Sequence, residues 1–135
     1  MKKFARTLCT ALLFLLPAWG WAQSWSVTTV ASTDLSLPYG LASDRSGNVF
    51  VADTNNYAVH RYTPDANGNY TKQADLAAGL ERPRGVAVDD AGNVYVAETG
   101  GRALLRKYAP SGDGGYAQPV DVASGVYSSY GVSVD

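Results

Sequence analysis

The chain has 135 residues, enough for one domain with its own hydrophobic core, with 11 basic residues against 12 acidic ones. Its single cysteine, Cys9, excludes an internal disulfide and any cysteine-built metal site. Without the three basic residues of its first segment the chain is acidic, and an acidic chain lacks the electrostatic footprint of a nucleic-acid binder.

The first 22 residues have the three-part layout of a secretory signal. Lys2, Lys3 and Arg6 form the basic start, and Leu8 to Leu16 form a short apolar run interrupted only by Cys9 and Thr10. Pro17 then ends any helix, and Gly20-Trp21-Ala22 sets small residues where a signal peptidase reads them. The run is about half the ~20 apolar residues that a membrane span needs. Cleavage is expected after Ala22, which gives a mature chain starting at Gln23, in the periplasm or outside the cell. No cysteine stands at the cleavage point, so no lipid anchor is expected, and no membrane association is expected after signal cleavage. Removing Lys2, Lys3 and Arg6 leaves 8 basic against 12 acidic residues, a formal charge of −4.

Beyond the signal, internal repetition decides the architecture. Gly40-Leu41-Ala42-Ser43-Asp44 returns as Gly85-Val86-Ala87-Val88-Asp89, and again as Gly131-Val132-Ser133-Val134-Asp135, at offsets of 45 and 46. Gly47-Asn48-Val49-Phe50-Val51-Ala52-Asp53 returns as Gly92-Asn93-Val94-Tyr95-Val96-Ala97-Glu98 at 45. Tyr62 pairs with Tyr108 and Tyr70 with Tyr116 at 46, so the second unit carries one extra residue between Glu98 and Tyr108. Each unit predicts four short strands, in the first at Gly40–Asp44, Val49–Asp53, near Val59–Tyr62 and near Tyr70–Leu76. The first two strands are apolar at consecutive positions, which implies burial on both faces. Asp44 to Asn48 and Asp89 to Asn93 form the first turns, and Pro64 to Asn69 and Pro110 to Gly115 the later ones. A four-stranded unit of about 45 residues is one blade of an all-β propeller.

The string Pro83-x-Gly85-Val86-Ala87-Val88-Asp89-x-x-Gly92-Asn93-Val94-Tyr95-Val96-Ala97-Glu98-Thr99 resembles an NHL repeat, and Pro38 through Asn56 resembles a second copy. The chain resembles exported bacterial NHL-repeat proteins. The blade repeats are placed at about 39–83 and 84–130, and a third begins at 131. With a fourth strand expected at Ser26–Val30 and an innermost strand at Gly131–Asp135, about two and a quarter blades are present. A closed propeller takes typically 4–8 blades, so open blade faces and self-association through them are expected.

Several residue groups are candidates for chemistry. Asp44, Asp89 and Asp135 recur at the end of the innermost strand, either as channel metal ligands or as residues bonded to their own turns. The turn reading is favoured by the Gly-Asn that follows the first two. Asp53 and Glu98 recur at the end of the second strand, either as an acidic ring on the binding face or as loop caps. His60, the sole histidine, is expected to be a half-exposed strand residue, since one imidazole makes no zinc site and no Gly-x-Ser-x-Gly accompanies it. Asp65, Asn67 and Asn69 alternate like a calcium loop but lack its glycine and closing glutamate, so a hairpin turn is expected.

Arg82, Arg84, Arg102, Arg106 and Lys107 form the densest basic group. With Tyr39 and Tyr130 on equivalent loops, they suit an anionic or sugar ligand. The resemblance implies a binding module that presents loops on one propeller face to a protein or carbohydrate. The expected binding residues are Tyr39, Arg84, Tyr130, Asp53, Glu98 and Arg102. The alternative is part of a calcium-dependent lactonase or lyase propeller. Its channel would need carboxylates, where this chain offers Leu41, Ala42, Ser43, Val86, Ala87 and Val88. No catalytic residue, metal or cofactor is assigned.

Overall fold

A computed structural model describes residues 27–31 and 33–135. The expected signal at 1–22, with Cys9 and its cleavage point, lies outside the described residues. The described residues form two antiparallel sheets and no helix. The first sheet runs β1 (Pro38–Ser43), β2 (Val49–Asp53), β3 (Ala58–Pro64) and β4 (Tyr70–Lys72), and β5 (Ala77–Ala78) pairs with the far end of β3. The second runs β6 (Pro83–Val88), β7 (Val94–Glu98), β8 (Leu104–Tyr108) and β9 (Val120–Ser124). Each is an up-and-down meander, the architecture of a propeller blade.

The inner turns follow from their residue types. Asp44 Oδ1 accepts from the amides of Ser46 and Asn48, both at 2.9 Å, and its Oδ2 accepts from Asn48 Nδ2 at 2.6 Å. Asp89 repeats this with Ala91, Asn93 and Asn93 Nδ2. Gly47 and Gly92 hold φ at +80°, a conformation that favours glycine. Asp65 does the same with Asn67 and Asn69, so the calcium-like alternation is a hairpin turn. Burial works against the charge on Asp89, but bonds from Asn93, Tyr95 and Ala91 outweigh it and hold its carboxyl below the usual carboxylate range. A group whose folded pKa is depressed stabilises above its unfolded value and loses that contribution as pH falls through the folded one. Asp89→Ala is therefore expected to lower the urea midpoint at pH 7. Near pH 2 the gap to the wild type should shrink.

The core lies between the two sheets. Phe50, Ala52 and Val59 of the first pack with Val86, Val94, Val96 and Tyr108 of the second, and Leu80 closes the cluster. Phe50 meets Tyr116 edge to face, with ring centroids 6.1 Å apart. Polar contacts fix the approach of the blades. Thr54 Oγ1 donates to the buried Pro83 carbonyl at 2.6 Å, Arg61 donates to Gly114 O at 2.9 Å, and Arg45 pairs with Asp90 across equivalent turns. At the innermost strands the backbones nearly touch. A Cβ on Gly40 would fall inside the Arg84 carbonyl oxygen, and one on Gly85 would lie 3.1 Å from Gly131 C and Val132 N. Gly85 therefore meets the segment from Gly131 much as Gly40 meets β6.

Burial shows which faces are covered. Val86 on β6 is 5% exposed, whereas its repeat equivalent Leu41 on β1 is 75% exposed. β6 is sandwiched, but among the described residues β1 has a sheet on one side only, so two-sided burial holds for β2, β6 and β7 and not for β1. The open side of the first sheet forms an apolar groove of about 450 Å³ that includes Val30, Leu35, Leu41, Val49 and Val51.

Three strand expectations change. Residues 27–31 are not a strand, and Ser26 lies outside the described residues. Gly131–Asp135 is likewise irregular, although it sits against Gly85. In both cases no hydrogen-bonded neighbour strand is present among the described residues, and an isolated strand has no ladder to hold it. The fourth strand, expected as Tyr70–Leu76, is split. Tyr62 pairs with Lys72 and Val59 with Ala77, so the outer strand carries two extra residues and bulges. β9 bulges by one residue beside Arg106.

Candidate binding face

The connections leaving the second strands and entering the first strands lie at one end of both blades. At this end each innermost strand begins with an irregularity. Pro38 pairs with Asp53 and Gly40 with Ala52, so Tyr39 is the bulged residue. Pro83 pairs with Glu98 and Gly85 with Ala97, so Arg84 is bulged in the same way. A bulge re-aims its side chain out of the strand's alternation. Tyr130 occupies the corresponding place before Gly131.

The three side chains stack. The Arg84 guanidinium carbon lies 4.8 Å from the Tyr39 ring centroid and 4.4 Å from that of Tyr130. The two rings are 6.4 Å apart at 68°. The guanidinium thus lies in the corner made by two π systems that meet edge to face, contacts worth about 0.5–1 kcal/mol each at such part-exposed rings. Both rings stay open to solvent, Tyr39 at 50% and Tyr130 at 61%.

Backbone strain marks the same end. Leu37, Arg82 and Ser128 hold φ of 61°, 56° and 63° at equivalent positions, and Tyr57 and Ala103 hold 54° and 50° at another. Asp34, at 68°, belongs to the same connections. At the opposite end every described residue with positive φ is a glycine. Non-glycine residues in this region cost about 1–3 kcal/mol each and cluster where a loop has a task beyond folding.

Beneath this face lies a polar layer that places two expected binding residues differently. Asp53 and Glu98 are 0% and 1% exposed. Asp53 accepts from the Ser36 amide at 2.9 and 3.1 Å, from Asn56 Nδ2 at 2.7 Å, and faces His60 Nε2 at 3.2 Å. His60 Nδ1 contacts Asp75 at 2.7 Å. In the second blade Glu98 accepts from the Glu81 amide at 2.6 Å, and Arg106 NH1 lies 3.0 Å from its other oxygen. Arg106 Nε reaches Asp121 at 3.2 Å. Both blades thus hold an acid, a basic side chain and a second acid in a row, Asp53–His60–Asp75 and Glu98–Arg106–Asp121. Burial disfavours the Arg106 charge, but Glu98, Tyr108 and Asp121 outweigh it and raise the guanidinium above its ordinary range. Burial also raises the Tyr108 phenol.

Asp53 and Glu98 are therefore loop caps and buried ion partners and do not reach the exposed face. His60, expected to be half exposed, is 4% exposed because both ring nitrogens are engaged by acids. With the imidazole lying between the two carboxylates, the row is a bridge, not a metal cage. Among the described residues no three acid, histidine or cysteine side chains converge to hold a metal. Arg102 remains at the surface, 73% exposed and 3.8 Å from Asp121. Sequence reasoning missed Asp75 and Asp121 as members of these rows. Their recurrence 46 residues apart, in step with His60 and Arg106, was the available signal.

Residues 80–108, which span β6 through β8 with Glu98 and Arg106, match the NHL repeat family. Comparison with curated proteins gives no match. The match covers one repeat unit of a chain whose two four-stranded meanders have the form of β-propeller blades, so residues 80–108 are an NHL repeat in a propeller-type fold.

Proposed function

We propose that the chain is an exported binding module that engages a partner outside the cytoplasm through the face bearing Tyr39, Arg84 and Tyr130. One observation carries the reading: an Arg–Tyr stack built by repeated bulges and left exposed among strained non-glycine loops. Tyrosine and arginine are the side chains that most often anchor interfaces. Exposed Leu37, Tyr57 and Tyr127 widen the patch. Arg102 belongs to its rim, and its contact with Asp121 is too exposed to hold it back from a ligand. Export rests on the basic start, the short apolar run and Gly20-x-Ala22.

Protein recovered from outside the cytoplasm should have an intact mass that begins at Gln23. Used as bait against the exported fraction, it should capture a partner. Tyr39→Ala with Tyr130→Ala should weaken that capture at least tenfold, in the range of anchor losses, while stability against urea falls only by what two part-exposed cation–π contacts contribute, about 1–2 kcal/mol. Capture unaffected by the double substitution would overturn the reading, as would a chain that retains Met1.

A further inference from the structure

We infer that the ligand of this face is a carboxylate carried by an acidic segment of a protein partner, seated on Arg84 between Tyr39 and Tyr130. The inference rests on the binding-module reading and names its ligand chemistry.

The argument starts from what the arginines do. Six are described. Arg45 pairs with Asp90, Arg61 donates to Gly114 O, Arg102 lies near Asp121, and Arg106 bridges Glu98 and Asp121. Arg82 is exposed to solvent. Arg84 alone is partly buried with no acid or carbonyl partner among the described residues, and its Nε is buried without a hydrogen bond. The acids on the same strand ends, Asp53 and Glu98, are engaged elsewhere, Asp53 by loop amides and His60, and Glu98 by the Glu81 amide and its ion pair with Arg106. The charge is thus fixed in place by two rings and left uncompensated.

The two ring contacts hold the guanidinium in place but satisfy none of its N–H donors. The group that completes such a fork is a planar anion taken bidentately, and a carboxylate has that geometry. The flanking tyrosines reduce water around the pair, which strengthens it. The surroundings favour a protein source. Leu37, Tyr57 and Tyr127 present apolar and aromatic surface on the same side, suited to side chains flanking an acidic residue. The Arg82 and Arg102 guanidiniums add positive charge at the rim.

The test is selection of a random octapeptide display library on the full mature chain, with an array of uronic-acid oligosaccharides run in parallel. Selected peptides should be enriched in Asp or Glu at one position, with apolar neighbours. Changing that residue to its amide should weaken binding at least tenfold. Arg84→Gln should abolish the enrichment, and Arg84→Lys should restore only part of it, because a lysine keeps the charge but not the planar fork. Circular dichroism should match the wild type, and the urea midpoint should fall only slightly, by the loss of the two ring contacts.

Selection of peptides without an acidic residue would overturn the inference. If Tyr39→Ala with Tyr130→Ala abolished their binding, the binding-module reading would still stand. Binding of uronic-acid oligosaccharides without peptides, indifference to Arg84→Gln, or no selection at all would each overturn the carboxylate-peptide assignment.

Discussion

Replacing Gly40 by alanine is expected to destabilise the chain by about 3 kcal/mol or more, near the upper end for one added methyl group. The position lies on β1 directly against the β6 backbone, and the new Cβ would overlap the Arg84 carbonyl oxygen. That oxygen belongs to a paired strand and cannot swing aside as a side-chain tip would. Relief requires the two innermost strands to separate, which loosens the shared cluster of Phe50, Val86, Val94 and Val96. Gly68→Ala is the control. Its φ of +81° strains an alanine, but nothing lies within 4 Å of the new Cβ, so the expected loss is about 1–2 kcal/mol. Urea denaturation of both variants separates the effects. Equal losses would show that the blades do not approach closely at Gly40. The Arg84 stack rides on the same backbone, so Gly40→Ala should also disturb the binding face.

Arg106→Met should cost about 3–5 kcal/mol, the range for breaking a buried ion pair from one side. Glu98 is 1% exposed, and its Oε1 faces only the Arg106 guanidinium. A methionine fills similar space but leaves that carboxylate buried and uncompensated. The same change frees Asp121, which is 47% exposed and simply turns to water at little cost. Adding Asp121→Asn to Arg106→Met should therefore change the denaturation midpoint little further. Lysine at 106 keeps a charge near Glu98 but cannot reach both acids as a fork, and should fall between wild type and methionine. A loss below about 1 kcal/mol for Arg106→Met would mean that Glu98 is not held by this pair.

The sequence alone determined the blade architecture, because repetition is a one-dimensional property. The offsets of 45 and 46 set the unit, and Asp-x-x-Gly-Asn set its first turn. The extra residue in the second unit falls between β7 and β8, where the register of Val49 with Tyr62 and of Val94 with Tyr108 requires it. Tyr39, Arg84 and Tyr130 were also legible as a set, since residues at equivalent repeat positions land side by side when blades stack. Their stacking around one guanidinium was not, because it depends on the bulges at Tyr39 and Arg84, which reverse the alternation that a strand pattern assumes.

Tertiary structure alone decided the fate of the polar residues. Asp53, His60, Glu98 and Arg106 look like surface positions in a linear pattern, yet they form a layer under the binding face. The physical reason is that burial of a charge is tolerated only when partners arrive with it. Those partners come from elsewhere in the chain: Ser36 and Asp75 for the first row, Glu81 and Asp121 for the second. Strand pairing and the outer bulges bring them within reach, and neither is visible until the sheet is assembled. For the same reason Gly131–Asp135, whose residues repeat a strand, remains irregular. A β-strand is completed by its neighbour's hydrogen bonds and not by its own composition.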